Sequence, residues 1–213
     1  MEKGVKYDIF STPIYIGKVE DDKKFKQHFS SIDLTTFAKP TDIYNPSWLC
    51  NVNTSHGTND CKFEDKWVES FLSMIENHVT DFVSSIKTQL EFELNPSLPW
   101  VNIYNKGQYQ DTHTHVFSGN VLSYCYYYNL PDTNVNGGKF YFVNSNADKV
   151  AFGQEYGISV VTAERKYFPD VTTGDIVIFP SWLEHGVSAV TGEETRITIS
   201  GNIRINVLPT INY

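Results

Sequence analysis

Cysteine is scarce in this chain. Cys50, Cys61 and Cys125 form an odd set with no Cys-x-x-Cys spacing, which excludes a disulfide framework and a zinc ribbon and leaves small buried thiols as the expectation. Positive charge is also short, with 17 Lys and Arg against 25 Asp and Glu, a net charge of -8, a pI near 5.2 and only three arginines. Nucleic acids and anionic lipid surfaces attract proteins of the opposite balance, so neither is an expected partner. Long apolar runs are missing too. No stretch approaches the roughly 20 apolar residues of a membrane span, and residues 1–10 are too charged for a signal peptide, so the expectation is a soluble cytoplasmic protein. Aromatics, by contrast, are plentiful: 14 Phe, 13 Tyr and 4 Trp make 15% of a chain that is 40% hydrophobic. That composition belongs to a globular, β-rich protein rather than a disordered one.

The 213 residues contain no internal repeat, low-complexity tract or charge block, and predict one domain covering 1–213. Residues 7–19 read as a strand interrupted at Pro13, 21–30 as a short helix, and the Asn/Ser/Thr/Gly-rich stretch 48–60 as a loop or short edge structure. Over 64–88, Trp67, Phe71, Ile75, Val79, Phe82 and Ile86 recur at intervals of three and four, which predicts an amphipathic helix. Asn95-Pro96-Ser97-Leu98-Pro99 closes that segment. From Trp100 onward, β-prone runs at 100–105, 108–116, 120–129, 139–143, 158–162, 175–180 and 195–205 alternate with Gly, Asn, Asp and Pro turns, as in a sandwich or barrel. The reading is a strand and helical layer over 1–99 packed on a β-fold over 100–213.

His113 and His115 are two apart in a predicted strand, so both side chains project from one face, a spacing that suits a metal or simply two solvent-facing imidazoles. A third imidazole, His185, follows the buried-strand pattern Ile176-Val177-Ile178-Phe179-Pro180. Further on, Arg196, Thr198 and Ser200 share one strand face opposite Ile197 and Ile199. That face is either wet, or it carries an arginine placed for a two-pronged ion pair with a carboxylate beside a hydroxyl donor.

The order of these parts resembles the Fe(II)/2-oxoglutarate-dependent oxygenase family. Gly107-Gln108-Tyr109 precedes His113-Thr114-His115; a strand with Tyr124, Tyr126, Tyr127 and Tyr128 follows, then Gly137-Gly138-Lys139-Phe140, Gly174-Asp175, His185 and Arg196-Ile197-Thr198. The stretch Phe179-Pro180-Ser181-Trp182-Leu183-Glu184-His185-Gly186-Val187 is similar to the second motif of the group in which a His-x-His pair stands in the first motif, and Ile9-Phe10-Ser11-Thr12-Pro13-Ile14-Tyr15 resembles that group's opening segment. The resemblance implies a mainly β fold, a double-stranded β-helix or jelly-roll, cupin-like barrel, with the N-terminal helices packed on one sheet. It implies Fe(II) held by His113, His115 and His185, with 2-oxoglutarate as co-substrate and O2 as oxidant. The family's acidic ligand falls on His115, so Asp111, of the same strand parity, is the alternative ligand or a support that orients an imidazole. By the same resemblance Arg196 would hold the distal carboxylate of 2-oxoglutarate with Thr198 as hydroxyl partner, and Tyr104 and Tyr127 match tyrosines that help bind the co-substrate in the prolyl-hydroxylase branch.

The implied reaction is hydroxylation of an unactivated C–H bond, in a peptidyl proline or a small amino-acid-like substrate, with release of succinate and CO2. Loops 130–137 and 144–157 are the expected specificity elements. A metal-binding cupin without 2-oxoglutarate is an alternative, since Gly107 to His115 and Gly174 to His185 reproduce much of its two motifs; its Glu would fall at Gly119 or Asn120 and its second-motif Gly at Trp182. A non-enzymatic β-sandwich binding module is the other alternative. His28, His56 and His78 read as structural, with His56 in a loop that could line the mouth.

Overall fold

The computed structural model describes residues 12–20, 22–36, 51–57, 61–86, 92–116, 119–145 and 165–207. Within them the chain runs β1 (Tyr15–Lys18), α1 (Lys23–Phe29), a 3-10 turn (Leu34–Thr36), β2 (Asn53–Thr54), α2 (Lys66–Ser85), β3 (Phe92–Pro96), β4 (Trp100–Tyr104) and β5 (Gln110–His113). It continues through β6 (Leu122–Asn129), α3 (Thr133–Asn136), β7 (Phe140–Val143), β8 (Lys166–Tyr167), β9 (Asp175–Pro180), β10 (His185–Val187) and β11 (Arg196–Val207). The strand expected over 158–162, most of the loop 144–157, Cys50 and the Ile9-Phe10-Ser11 part of the opening segment lie outside the described residues.

The strands form two antiparallel sheets. The larger has the order β1-β9-β6-β11-β4-β2, with β3 also paired to β11; the smaller is β5-β10-β7-β8. The expectation of a double-stranded β-helix or jelly-roll, cupin-like barrel is corrected here. Each sheet is open, ending in β1 and β2 in one case and β5 and β8 in the other, and no ladder among the described residues joins one sheet to the other to close or curl them. With a 20-residue α2 against the larger sheet, the fold is mixed α/β rather than mainly β.

Alternation explains the layering. On β6, Leu122, Tyr124 and Tyr126 join the cluster beneath the helices, and so do Ile197, Ile199 and Ile203 of β11 and Ile176 and Ile178 of β9. The intervening Cys125, Tyr127, Val177 and Phe179 meet Phe140, Phe142 and Val187 of the smaller sheet. A central strand covered on both faces is therefore apolar or aromatic at nearly every position. The helix stripe read from the sequence delivers Trp67, Phe71, Ile75, Val79 and Phe82 to the same outer cluster, where Phe71 lies 5.3 Å from Phe25 and 5.8 Å from Tyr126 between ring centroids.

Two elements depart from the sequence reading in ways that shape the site. The strand expected over 108–116 is regular only from Gln110 to His113, which leaves His115 beyond its end. Phe92–Pro96 is a strand, because the second half of β11 outruns β4 and takes β3 as its partner, with Pro96 at the end where no ladder donor is needed.

Phe71→Ala should lower the free energy of unfolding by about 3–5 kcal/mol, the cost of emptying a buried aromatic site. Urea titration against the exposed-face control Glu69→Ala, expected within about 0.5 kcal/mol of the wild type, checks this.

Candidate functional site

Opposite the helices, the two sheets enclose a cavity of about 540 Å3 lined by three histidines that arrive from two strands of the smaller sheet. His113 ends β5 and pairs directly with His185, which begins β10. Past the strand end, the main chain of His115 is held by its N–H donating to the Ser181 carbonyl (2.8 Å) and its carbonyl accepting from Asn120 Nδ2 (3.2 Å). The ring centroids lie 4.4 Å apart for His113 and His185 and 5.0 Å for each of the other two pairs. One ligand-capable atom of each residue lies within 4.8 Å of the others.

Hydrogen bonding selects the tautomer. His113 Nδ1 sits 2.7 Å from the Asp111 carbonyl and His185 Nδ1 sits 2.8 Å from the Leu183 carbonyl. A carbonyl only accepts, so both Nδ1 atoms carry the proton and the Nε2 lone pairs remain for a cation. Burial, with the neighbouring imidazoles adding repulsion, holds His185 well below the usual histidine range and pushes His115 down to about 3; burial also lowers His113. Neutral imidazoles converging in this way fit a divalent transition metal and leave coordination positions open.

Deeper in the cavity lies Arg196, which is 2% exposed. Its guanidinium stands 4.6 Å from the Tyr104 ring and 5.5 Å from the Tyr127 ring, and none of its three nitrogens has a hydrogen-bond partner among the described residues. No Asp, Glu or Lys is among the described residues that line the cavity. A buried cation with five unused donors is a poor structural element and a good receptor for a carboxylate. Gly138, at φ 67°, leaves space for it, since a Cβ there would stand 3.3 Å from Arg196 Cδ and 2.9 Å from Val190 Cγ2.

The residues read from the sequence distribute as follows. His113, His115, His185, Arg196, Thr198 and Tyr104 line one cavity. Thr198 is buried opposite Asn102 on β4 and Tyr127 on β6. Tyr104 donates its hydroxyl to Gln110 Oε1 at 2.6 Å. Tyr127 does not line the cavity; it stands beside Arg196 with its buried hydroxyl next to the Cys125 thiol. Asp111 is exposed, and the three-histidine cluster does not include its carboxylate; its Oδ1 accepts from the Thr112 N–H, and it touches the site through the carbonyl on His113.

The reason for that last placement is a bulge. His185 pairs with His113 but Val187 pairs with Gln110, so β5 inserts one extra residue and its parity flips. Gln110 turns inward in place of Asp111. Counting by twos along an unbroken strand could not find Gln110. His56 was placed in a loop, and it does reach the cavity rim, 4.7 Å edge-on to Trp100, which in turn lies 5.8 Å from His115.

Residues 99–202 match the family described as "Putative 2OG-Fe(II) oxygenase", a span that contains all three histidines and Arg196. No curated protein matches the sequence. Among solved structures, the chain is similar to a Pseudomonas putida prolyl-4-hydroxylase at 12% identity and a TM-score of 0.57, over 91% of this chain and 94% of that one. It is similar to a Trichoplax adhaerens prolyl hydroxylase bound to a hypoxia inducible factor peptide fragment, at 10% identity, a TM-score of 0.61, and 91% and 84% coverage. HygX from Streptomyces hygroscopicus, solved with nickel and 2-oxoglutarate, matches at 11% identity, a TM-score of 0.53, and 94% and 84% coverage. At such identities these likenesses show a shared fold. The family match and the converging imidazoles place residues 99–202 of this chain in the 2OG-Fe(II) oxygenase superfamily.

The lowered imidazole pKa values have a consequence for stability. In the unfolded chain these histidines titrate near 6.5, whereas in the fold they resist protonation down to about 3 in the case of His115. Between those values the unfolded state binds more protons, so the contribution is complete above pH 6.5 and is lost progressively as pH falls. The metal-free protein should show a falling thermal midpoint from pH 7 to pH 4.5. His115→Leu should flatten that slope in differential scanning calorimetry.

Proposed function

We propose that this chain is an Fe(II)- and 2-oxoglutarate-dependent dioxygenase that hydroxylates an unactivated C–H bond, releasing succinate and CO2. His113, His115 and His185 would hold the iron through Nε2, and Arg196, with Thr198 beside it, would receive the distal carboxylate of 2-oxoglutarate. The observation that carries this reading is the fully buried guanidinium of Arg196, its donors unspent, in the same cavity as three converging imidazoles, two of which have their Nε2 lone pairs set free. Bound Fe(II) would supply the redox chemistry for O2, one oxygen atom going to succinate and the other to the substrate as hydroxyl.

The protein's own contribution is charge and position. Three neutral imidazoles add nothing to the dication, so the chelating carboxylate of the co-substrate would offset one of its charges, and Arg196 would neutralise the carboxylate at the other end of the dianion. Tyr104 and Tyr127 flank the guanidinium with ring faces and restrict it to one plane. Gln110, which lines the cavity, is held there by accepting from Tyr104. Phe140 and Phe179, 5.6 and 4.7 Å from His185, form an apolar wall that keeps bulk water from that side of the imidazoles. The substrate candidates are a peptidyl proline first, in keeping with the prolyl hydroxylases among the fold relatives, and a small amino-acid-like molecule second.

Single variants His113→Ala, His115→Ala and His185→Ala should each lose Fe(II), measured as iron per chain after reconstitution. Full occupancy in His185→Ala would remove the proposed ligand set, and full occupancy in His115→Ala alone would leave a two-histidine site.

The co-substrate assignment is tested by anaerobic 2-oxoglutarate titration of the Fe(II) protein. Arg196→Ala should weaken binding by about 2–5 kcal/mol, or roughly 30-fold to several thousand-fold. Arg196→Lys should recover part of it, because a point charge cannot reproduce two parallel hydrogen bonds. Arg204→Ala, exposed and eight residues further along β11, should bind as the wild type does. If wild-type protein neither binds 2-oxoglutarate nor releases succinate from it with O2, a metal-dependent activity that does not use 2-oxoglutarate takes precedence.

A further inference from the structure

The inner face of the larger sheet continues well past Arg196. Arg196, Thr198, Ser200 and Asn202 stand at alternate positions of β11 and all line the cavity. From Arg196 to Asn202 that strand covers about 20 Å at roughly 3.3 Å per residue. A five-carbon diacid has four C–C bonds of about 1.5 Å and extends only about 5 Å between its terminal carbons. A co-substrate anchored on Arg196 therefore leaves the far end of the row untouched.

Beyond Arg196 the row is flanked by pinned amides, Asn102 level with Thr198 and Asn202 at the far end. Thr54 donates its hydroxyl to Asn102 Oδ1 at 2.8 Å, and Ser123 donates its hydroxyl to Asn202 Oδ1 at 2.7 Å. Each asparagine thus has its carbonyl end fixed by a buried hydroxyl, which turns its NH2 end toward the cavity. Asn102 spends one of its two N–H bonds on Ser200 Oγ at 3.3 Å, and Asn202 Nδ2 has no partner among the described residues. Ser123 is also 2.9 Å from Ser181 Oγ, and the Ser181 carbonyl accepts from the His115 N–H, so this donor array is rigidly tied to the segment carrying one of the three histidines. Trp100 and His56 close the adjoining wall.

Building on the function proposed above, we infer that Asn102, Ser200 and Asn202 form a second subsite that selects a neutral, carbonyl-bearing substrate group, such as the amide carbonyl of an amino-acid residue within a chain. The two amide NH2 groups offer donors only, and the Ser200 hydroxyl, already accepting from Asn102, can add its O–H, so the matching ligand atom is an acceptor. The one charged side chain among the described lining residues, Arg196, is committed to the co-substrate. A free amino acid brings an ammonium that finds no carboxylate there and a carboxylate that finds no second cation. Blocked residues lose both charges and keep two carbonyl acceptors, so they fit where zwitterions pay desolvation without return.

The test is calorimetric binding to the protein loaded with Fe(II) and 2-oxoglutarate under anaerobic conditions. The probes are N-acetyl, N-methylamide forms of alanine, leucine and proline against the same free amino acids. At least one blocked form should bind at least 10-fold more tightly than its free counterpart. Asn202→Asp, which keeps the acceptor for Ser123 and loses the NH2, should weaken that blocked form at least 10-fold while leaving 2-oxoglutarate affinity within 2-fold. Asn202→Leu should do the same, which guards against a folding defect in the acidic variant. Equal or tighter binding of the free amino acids, undiminished binding in both variants, or no saturable binding of any blocked form would overturn the subsite. Failure of wild-type protein to bind 2-oxoglutarate would instead sink the dioxygenase reading, and is scored in a separate titration.

Discussion

A guanidinium sealed between two sheets without a hydrogen bond is costly, on the order of several kcal/mol, and much of this structure is arranged so that Arg196 stays in that condition. An aspartate or glutamate at an inward position beside it, such as that of Tyr104, Tyr127 or Thr198, would pair with it and fill that end of the cavity. The inward positions of β4, β6 and β11 instead carry Asn102, Tyr104, Ser123, Cys125, Tyr127, Thr198, Ser200 and Asn202, all neutral at physiological pH. Burial keeps the Cys125 thiol high despite the adjacent cation, so even this ionisable neighbour offers no anion. The protein's surplus of negative charge is confined elsewhere, and the interior retains one unsatisfied positive group facing a space of ligand size.

The histidine cluster obeys the complementary rule. Its imidazoles are held neutral by burial and oriented through local carbonyls two residues upstream, Asp111 for His113 and Leu183 for His185. These contacts are built into the tight backbone path at each histidine, so ring orientation does not depend on distant side chains. A site of neutral donors beside a fixed cation presents its positive potential at one end of the cavity, which favours a dianion entering in one direction only.

Much of this was legible in the chain because it is local. The His-x-His pair, the apolar run into His185, the alternation around Arg196 and the stripe of α2 are all read within a dozen residues, where strand and helix periods decide which way a side chain points. What could not be read depends on partners far away in sequence. The exchange of Gln110 for Asp111 follows from a bulge set by β10, some seventy residues downstream. The orientation of Asn102 is imposed by Thr54 and that of Asn202 by Ser123, at sequence separations of 48 and 79. The strand at Phe92–Pro96 exists because β11 is longer than β4, a fact about the partner rather than about the segment. Alternating strands alone also did not distinguish a closed barrel from two open sheets, since both bury one face in the same period.

The placement of β11 bears on how the molecule assembles. It occupies the middle of the larger sheet, between β6 on one side and β4 with β3 on the other, although it comes after all of them in the chain. Until it inserts, β6 and β4 have no ladder between them, and the helices face an outer layer lacking Ile199 and Ile203. Such pairings close loops of about 70 to 110 residues, which slows folding relative to chains dominated by local contacts. The insertion that completes the sheet is also the one that delivers Arg196, Thr198, Ser200 and Asn202. The buried cation and the completed core therefore arrive with the same strand, so a chain that has not yet placed β11 has neither.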